Sequence, residues 1–193
     1  MSGGYFDVND ILAGDERVKC TFATEAIECA YLDPSCVGDD LPSGAVVELP
    51  LWLAEPLAAR GDVTLELPHF LNARFRRLLK AGPAAVNLRD CSPFFYEIGR
   101  HLVPLVDDAS AREIEEIMRL AFGGERYRDV LNNAMNSLDE DTTEFTRRLT
   151  EEEKALFQAG LRDASDFIQW KGRHAEVITA SAVVQRSSKR RKY

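Results

Sequence analysis

The sequence predicts an α+β fold that is mostly α, with a small N-terminal β-rich domain followed by a larger helical-bundle domain. Residues 18–32 and 45–48 roughly alternate in polarity and contain β-compatible side chains, with turn-forming residues between them. From residue 50 onward, apolar residues instead recur at the three- and four-residue spacing of helices. The pattern changes near residues 48–62. The expected division is a β-rich domain over 1–49, a helical domain over 50–185 and a basic tail over 186–193.

The N-terminal elements are predicted to be short. Residues 10–14 suit a single helical turn that is closed by Gly14. The strand candidates at 18–32 and 45–48 follow it, and residues 62–67 are predicted to be a brief extended link. Short strands form a stable sheet in water only when one face is covered. We therefore expect the helices to cover this sheet.

The first predicted helix spans about 50–59 and ends near Gly61. Pro50 suits the first helical position, where its missing N–H would be unpaired anyway. Large apolar residues in this helix, and in a later one, are candidate anchors against other proteins, since a buried aromatic side chain covers on the order of 150–250 Å². For the two tryptophans, packing into the core of the chain itself is the alternative. The candidate anchors are Leu51, Trp52, Leu53, Phe157 and Trp170.

The second predicted helix spans about 68–81 and stops at Gly82-Pro83. Its apolar face is formed by Leu71, Phe75, Leu78 and Leu79. The opposite side is basic, and it is either a solvated face or a docking patch for acidic protein or DNA. This candidate basic patch consists of Arg74, Arg76, Arg77 and Lys80.

Two further helices carry recognisable starts. Ser92 followed by Pro93 predicts the N-cap and first position of a third helix, because the serine hydroxyl can accept an otherwise unpaired backbone N–H. Pro104 is expected to end or bend that helix. Thr150 followed by Glu153 fits a capping box and predicts a fifth helix that runs to Gly172.

A fourth helix is predicted from Ala111 to about Ser137, and it has two apolar stripes. At about 100° per residue, the second stripe lies roughly 140° around from the first. Either Gly123-Gly124 breaks the element, or one continuous helix is apolar on two sides and needs neighbours on both. In the second case the extra neighbour is expected to be another subunit. The candidate interface stripe is Tyr127, Val130, Leu131, Ala134, Met135 and Leu138.

Charge is distributed unevenly along the 193 residues. The chain has 24 basic and 32 acidic residues and a net charge of −8, yet residues 186–193 contain five basic residues and no acidic one. The remaining acidic body would repel phosphate backbones, which argues against a dedicated DNA-binding domain. The tail is either a solvated end or a nuclear-import signal. The residues of the candidate import signal are Lys189, Arg190, Arg191 and Lys192.

The sequence also predicts a location inside the cell without contact to membranes. No apolar run approaches the roughly 20 residues that cross a bilayer, and the first residues resemble no signal peptide. The four cysteines, at positions 20, 29, 36 and 91, contain no C-x-x-C pair. We expect them to be ordinary thiols rather than metal ligands or disulfides.

A search for reactive groups predicts no enzyme and no cofactor. The chain contains no glycine-rich phosphate loop, no G-x-S-x-G and no H-E-x-x-H. His69, His101 and His174 lie far apart in the sequence, and acidic runs near 139–141 and 151–153 have structural explanations. Cys91 precedes a predicted helix, a position that can lower a thiol pKa, but nothing marks a partner base. We therefore expect no catalytic residue.

Several motifs together resemble the Psf-three family of subunits of the GINS complex, a eukaryotic replication factor. The resemblance covers nearly the whole length, and its most specific parts are Glu48–Ala54 and Ile178–Ser181. The other matching residues are Tyr5, Phe6, Asp10, Ile11, Leu12, Pro93, Phe95, Tyr96, Gly99, Glu140, Asp141, Thr142, Leu156, Phe157, Gln158, Gly160, Asp166, Phe167, Trp170 and the terminal Lys-Arg-Arg-Lys.

This resemblance implies a non-catalytic structural subunit of a heterotetramer, with three other GINS subunits as partners. Each related subunit would have a helical domain and a small β-rich domain, and the β-rich one would come first here. The resemblance further implies that the tetramer joins the MCM hexamer and its DHH-fold partner as part of the replicative helicase, in the nucleus. ATP hydrolysis would belong to the MCM ring, and contact with DNA would be indirect or weak. The alternative is a nucleic-acid-binding module that uses the basic face over 74–80 and the tail.

Overall fold

A computed structural model describes residues 6–138 and 140–172 of the chain. In this part, eight α-helices follow or flank a three-stranded antiparallel sheet. The strands are β1 (Arg17–Phe22), β2 (Val46–Pro50) and β3 (Val63–Leu65). The helices are α1 (Val8–Gly14), α2 (Leu51–Arg60), α3 (Ala73–Ala81), α4 (Phe95–Leu102), α5 (Asp108–Phe122), α6 (Glu125–Asn136), α7 (Thr143–Thr146) and α8 (Glu151–Lys171). This architecture confirms the predicted fold class.

The sheet has the strand order β2-β1-β3, with β1 in the centre. Val18, Cys20 and Phe22 point from β1 into the core, while Arg17 and Lys19 face solvent. This alternation is the period-two pattern of a sheet with one covered face. Residues 63–65, predicted to be an extended link, form β3 and pair with the end of β1.

One hydrophobic core crosses the boundary that the sequence predicts near residue 49. It combines Val18 and Leu49 of the sheet with Leu51 of α2, Phe75 of α3 and Ile98 of α4. Pro50 is both the last residue of β2 and the N-cap of α2, so its prediction as the first helical residue is wrong by one position and the strand passes into the helix without a loop. The backbone N–H of Leu51 donates to the Glu16 carbonyl at 2.9 Å. The β-rich part and the first helices are therefore packed as one unit.

Two further predicted helix starts are wrong in detail. The segment 68–81 contains a 3₁₀ turn at His69–Leu71 before α3, which begins after Asn72 as N-cap. The Ser92 hydroxyl accepts from the Phe94 N–H at 3.1 Å, but α4 begins only at Phe95. Ser92 therefore stabilises the turn that precedes the helix rather than capping the helix itself.

Two other predictions are confirmed. Gly123 and Gly124 separate α5 from α6, and Gly124 has a φ of 67°, a conformation that L side chains rarely adopt. The first of the two alternatives for the predicted fourth helix is therefore correct. Helix α8 begins with the predicted capping box, in which Thr150 and Glu153 exchange hydrogen bonds between side chain and backbone. Among the described residues, none of the helices is long and apolar enough to span a membrane.

Candidate protein-interaction surface

Helix α6 packs against α8, and this contact buries part of the predicted interface stripe. Val130 and Ala134 lie in a small buried cluster with Leu149 and Phe157. These two stripe residues are covered by the chain itself, so the prediction that they meet another subunit is wrong. The other four residues remain at least partly accessible, with Met135 61 % exposed and Tyr127, Leu131 and Leu138 less so.

The two helices approach closely at Gly160. A Cβ atom placed on this glycine would lie 2.9 Å from the Cβ of Ala134, closer than real Cβ contacts. The absence of a side chain at 160 therefore allows α8 to lie directly on α6. Because this close approach fixes the position of α8 along α6, it also sets how far the end of α8 projects.

A buried polar network, which the sequence reasoning missed, holds α6 and α8 to the rest of the bundle. The Arg126 guanidinium donates two hydrogen bonds to the Glu153 carboxylate, at 2.5 and 2.9 Å, and a third to the Val86 carbonyl at 2.7 Å. The Tyr96 hydroxyl donates to the same carboxylate at 2.9 Å. Burial, together with the charge of Glu153, raises the pKa of the Tyr96 hydroxyl. Only the capping box at Thr150 hinted at this site in the sequence.

The C-terminal turns of α8 carry a cluster of exposed apolar side chains. Phe167, Ile168 and Trp170 are 56, 54 and 71 % exposed, and every residue from 166 to 172 is exposed. The rings of Phe167 and Trp170 lie 5.8 Å apart. The alternative that Trp170 packs into the core of its own chain is wrong. We call Phe167, Ile168 and Trp170 the α8 apolar end.

The predicted anchors separate into two groups. Leu51 and Phe157 are fully buried and stabilise the chain itself, so their prediction as anchors against other proteins is wrong. Leu53 is partly buried and packs against the same core. Trp52 is 58 % exposed although it adjoins Leu51, because successive helical residues point about 100° apart. The alternative that Trp52 packs into the core of its own chain is therefore wrong, as the same alternative is for Trp170.

A row of aromatic rings leads from the core to a second exposed site. Phe95 contacts Tyr96, Tyr96 contacts Phe122, and Phe122 contacts Tyr127, with centroids 5.2, 5.7 and 5.3 Å apart. Phe95 is fully buried, whereas Phe122 and Tyr127 are each 39 % exposed at the junction of α5 and α6. Edge-to-face and tilted ring contacts therefore connect the aromatic surface at this junction to the core.

The predicted basic patch is partly neutralised by the chain itself. Arg76 lies 2.9 Å and Lys80 2.8 Å from the carboxylate of Glu116 on α5. These contacts, that of Lys80 above all, lower the pKa of Glu116. Arg74 and Arg77 are exposed, and within the described residues neither has an acidic partner. The candidate import tail at 189–192 lies outside the described residues.

The four cysteines are free thiols in the structure. Burial raises the pKa of the Cys20 thiol to about 11. Burial, followed by the charge of Asp90, also raises the pKa of Cys91. This shift is opposite to the one that would activate a nucleophile.

Two family profiles match the chain. The one described as the PSF3 N-terminal domain covers residues 6–59, and the one described as the GINS complex protein helical bundle domain covers residues 70–172. Proteins named "DNA replication complex GINS protein PSF3" from Mus musculus, Xenopus laevis and Homo sapiens are 35, 32 and 32 % identical to it. Each alignment covers 97 % of this chain and 89 % of the relative.

The chain belongs to the PSF3 family of GINS proteins.

This membership confirms the resemblance drawn from the sequence motifs. Within this PSF3-family chain, β3 falls between the two matched segments, although it completes the sheet. The α8 apolar end lies inside the helical bundle segment. Two of the residues that carry the resemblance in the sequence have clear positions in the structure: Gly160 lies at the α6–α8 contact and Tyr96 lies in the polar network.

Proposed function

We propose that this chain is a non-catalytic structural subunit of a heterotetrameric GINS complex, held by three other GINS subunits. Its relatives are named as proteins of a DNA replication complex. The observation that carries the proposal is the α8 apolar end, where Phe167 and Trp170 form an exposed aromatic pair. Clustered aromatic side chains of this kind are typical of the centres of protein–protein interfaces.

Two further surfaces support this proposal. Trp52 lies on α2, and Phe122 with Tyr127 lies at the α5–α6 junction, and all three rings are at least 39 % exposed. Exposed aromatic groups cost free energy in water, and a partner that covers them recovers it. A subunit that contacts several partners at once needs a separate contact surface for each of them, and these exposed aromatic groups provide such surfaces.

We further propose that the assembled complex acts with the MCM hexamer and its DHH-fold partner in the replicative helicase, in the nucleus. The role of this chain there is to position its partners, while ATP hydrolysis belongs to the MCM ring. The basic residues 189–192 provide an import signal. Deleting residues 189–193 should reduce nuclear accumulation of the free subunit, measured by microscopy of a tagged protein. Unchanged accumulation would remove this role of the tail.

Co-expression with the three other GINS subunits of the same organism tests the proposal directly. The expected result is one complex with a 1:1:1:1 stoichiometry in native mass spectrometry. Trp170→Glu should weaken recovery of this complex, because it places a charge on the proposed contact. Gln169→Glu adds the same charge to the neighbouring exposed position and is the matched control. Equal recovery of both variants would exclude the α8 apolar end as an interface.

A second candidate function, nucleic-acid binding, rests on Arg74 and Arg77, which stay exposed while Arg76 and Lys80 pair with Glu116. Two or three phosphate contacts would give weak binding with a shallow salt dependence. Fluorescence anisotropy with single- and double-stranded DNA at low salt measures it. Loss of binding in the Arg74→Ala/Arg77→Ala double variant would support this function, and no binding by the parent chain would dismiss it.

A further inference from the structure

Three side chains with metal-binding chemistry meet where α1 crosses α4. Asp10 comes from α1, and Glu97 and His101 come from one face of α4, since residues four apart lie above one another on a helix. One ligand atom of each residue lies within 4.8 Å of those of the other two. All three side chains are partly buried. Asp10 and Glu97 also line a cavity of about 570 Å³, together with Phe94, Arg100 and Leu156.

The imidazole of His101 is already oriented for such a site. Its Nδ1 lies 2.5 Å from an oxygen of Glu55 on α2, and its Nε2 faces Glu97 Oε1 at 3.7 Å. An imidazole that donates its Nδ1–H to Glu55 presents the lone pair of Nε2 towards Glu97. Histidines that bind metals are commonly held in this way by an outer carboxylate, which fixes the tautomer and raises the basicity of the ligand.

Charge also favours a cation at this point. Asp10, Glu55 and Glu97 bring three carboxylates to a single imidazole, and among the described residues the cation paired with this group is Arg100, which contacts Glu97. Arg100 contacts the same Glu97 oxygen, Oε1, that faces His101 Nε2, so a metal ion would bind the other oxygen, Glu97 Oε2. One nitrogen and two carboxylate donors match the ligands that zinc takes in proteins.

We propose that Asp10, Glu97 and His101 bind one Zn²⁺ ion, with Glu55 as the outer carboxylate that holds His101. The donor atoms of a tetrahedral zinc site lie roughly 3.3 Å apart, so the three side chains must close by about 1.5 Å at most. Rotation of the partly buried Asp10 and Glu97 side chains about their side-chain bonds would provide such movements. The ion fastens α1 to α4 and thereby joins the first segment of the chain to the helical bundle.

The test uses the full-length chain in the oligomeric state in which it is purified. Bound metal is first removed with EDTA, and the EDTA is removed by dialysis. Calorimetric titration with ZnCl₂ should give one site per chain, with a rise in melting temperature upon saturation. His101→Ala and Asp10→Asn should each weaken the affinity at least tenfold. His69→Ala is the matched control, because His69 is exposed and lies outside this cluster, and it should bind as the parent does.

Two results would overturn the proposal. The first is the absence of a one-to-one zinc site in the parent chain at micromolar metal. The second is zinc binding that His101→Ala and Asp10→Asn leave unchanged, since zinc would then be held elsewhere, for example by the free thiols. If His101→Ala does not fold, Asp10→Asn decides the question alone, because Asp10 is a partly exposed residue of a short helix.

Discussion

Arg126 and Glu153 form a bidentate ion pair inside the chain, with side chains that are only 8 and 0 % exposed. The pair connects α6 to the first turn of α8. Tyr96 extends the connection to α4, and the Val86 carbonyl extends it to the segment between α3 and α4. Because every guanidinium nitrogen of Arg126 and both carboxylate oxygens of Glu153 have hydrogen-bond partners, the cost of removing two charges from water is offset.

Arg126→Met should destabilise the chain strongly, because it leaves the Glu153 carboxylate buried without its counter-ion. Breaking one partner of a buried pair typically costs about 3–5 kcal/mol. Urea denaturation of the parent and variant measures the difference. Arg128→Met, on the exposed side of the same helix, is the control and should change stability by less than about 0.5 kcal/mol. Similar losses in both variants would show that the ion pair contributes little.

Gly160→Ala should weaken the contact between α6 and α8, because the new methyl group meets Ala134 at 2.9 Å. Overpacking of this kind costs about 1–3 kcal/mol, which exceeds the roughly 1 kcal/mol that alanine gains over glycine in a helix. The expected result is a lower melting temperature. Combining it with Ala134→Gly should restore part of the loss. A Gly160→Ala variant more stable than the parent would contradict the close approach.

Glu152→Gln should stabilise the chain at neutral pH. One carboxylate oxygen of Glu152 is buried without a hydrogen-bond partner, and burial raises the pKa of this residue. The folded state therefore holds the proton more tightly than the unfolded state. The cost of ionisation is present above the folded pKa and disappears as the pH falls to the unfolded value near 4.5.

Urea denaturation at pH 8 and pH 5 checks this expectation. The stabilising effect of Glu152→Gln should be larger at pH 8 and shrink towards pH 5. Glu151→Gln is the control, and it should change the free energy of unfolding in the opposite direction. Burial alone would raise the pKa of Glu151, but Lys154 and Arg89 lower it, so its charge stabilises the fold at neutral pH. If both variants shift stability in the same direction at pH 8, this assignment is wrong.

Leu51→Ala and Trp52→Ala should differ sharply although the residues are neighbours. Leu51 is 1 % exposed, and its truncation should cost about 2–5 kcal/mol through the cavity it leaves. Trp52 is 58 % exposed, so its truncation should cost less than about 1 kcal/mol in the isolated chain. Thermal unfolding measures both. Under the proposed function, Trp52→Ala should instead weaken recovery of partner subunits, and an equal loss of stability in both variants would refute this division.

Local patterns in the sequence predict local structure well. The capping box at Thr150, the break at Gly123-Gly124 and the helix end at Gly61 each depend on a few adjacent residues, and each is found in the structure. Apolar residues recur every second residue in the first part of the chain and every three to four residues after it. This change also predicts that strands come first and helices follow. In these cases the determining interactions lie within one or two turns of backbone.

Contacts between distant residues could not be predicted in the same way. Arg126 and Glu153 are 27 residues apart, and nothing in either neighbourhood specifies the partner. The three-residue strand β3 is too short to show an alternating pattern, and only its pairing with β1 makes it a strand. The proposed zinc site likewise combines Asp10 with residues of α4 that lie about ninety positions later.

The exposure of Trp170 has a similar explanation. The apolar stripe of α8 continues regularly from Phe157 to Phe167, so periodicity alone predicts burial throughout. However, α8 has 21 residues and its neighbour α6 has 12. At 1.5 Å per residue, α8 is longer by roughly 13 Å, and its last turns extend past the helix that covers its beginning.

Strand β3 limits how this chain can be divided or recombined with its relatives. A fragment that ends at residue 60 would lack the strand that pairs with Cys20, Thr21 and Phe22. A chimaera joined at residue 49 would keep β3 on the helical half, where its sequence would have to suit a foreign β1. A functional exchange with a relative therefore has to move residues 6–65 together, and the helices that complete their core must come from a compatible parent.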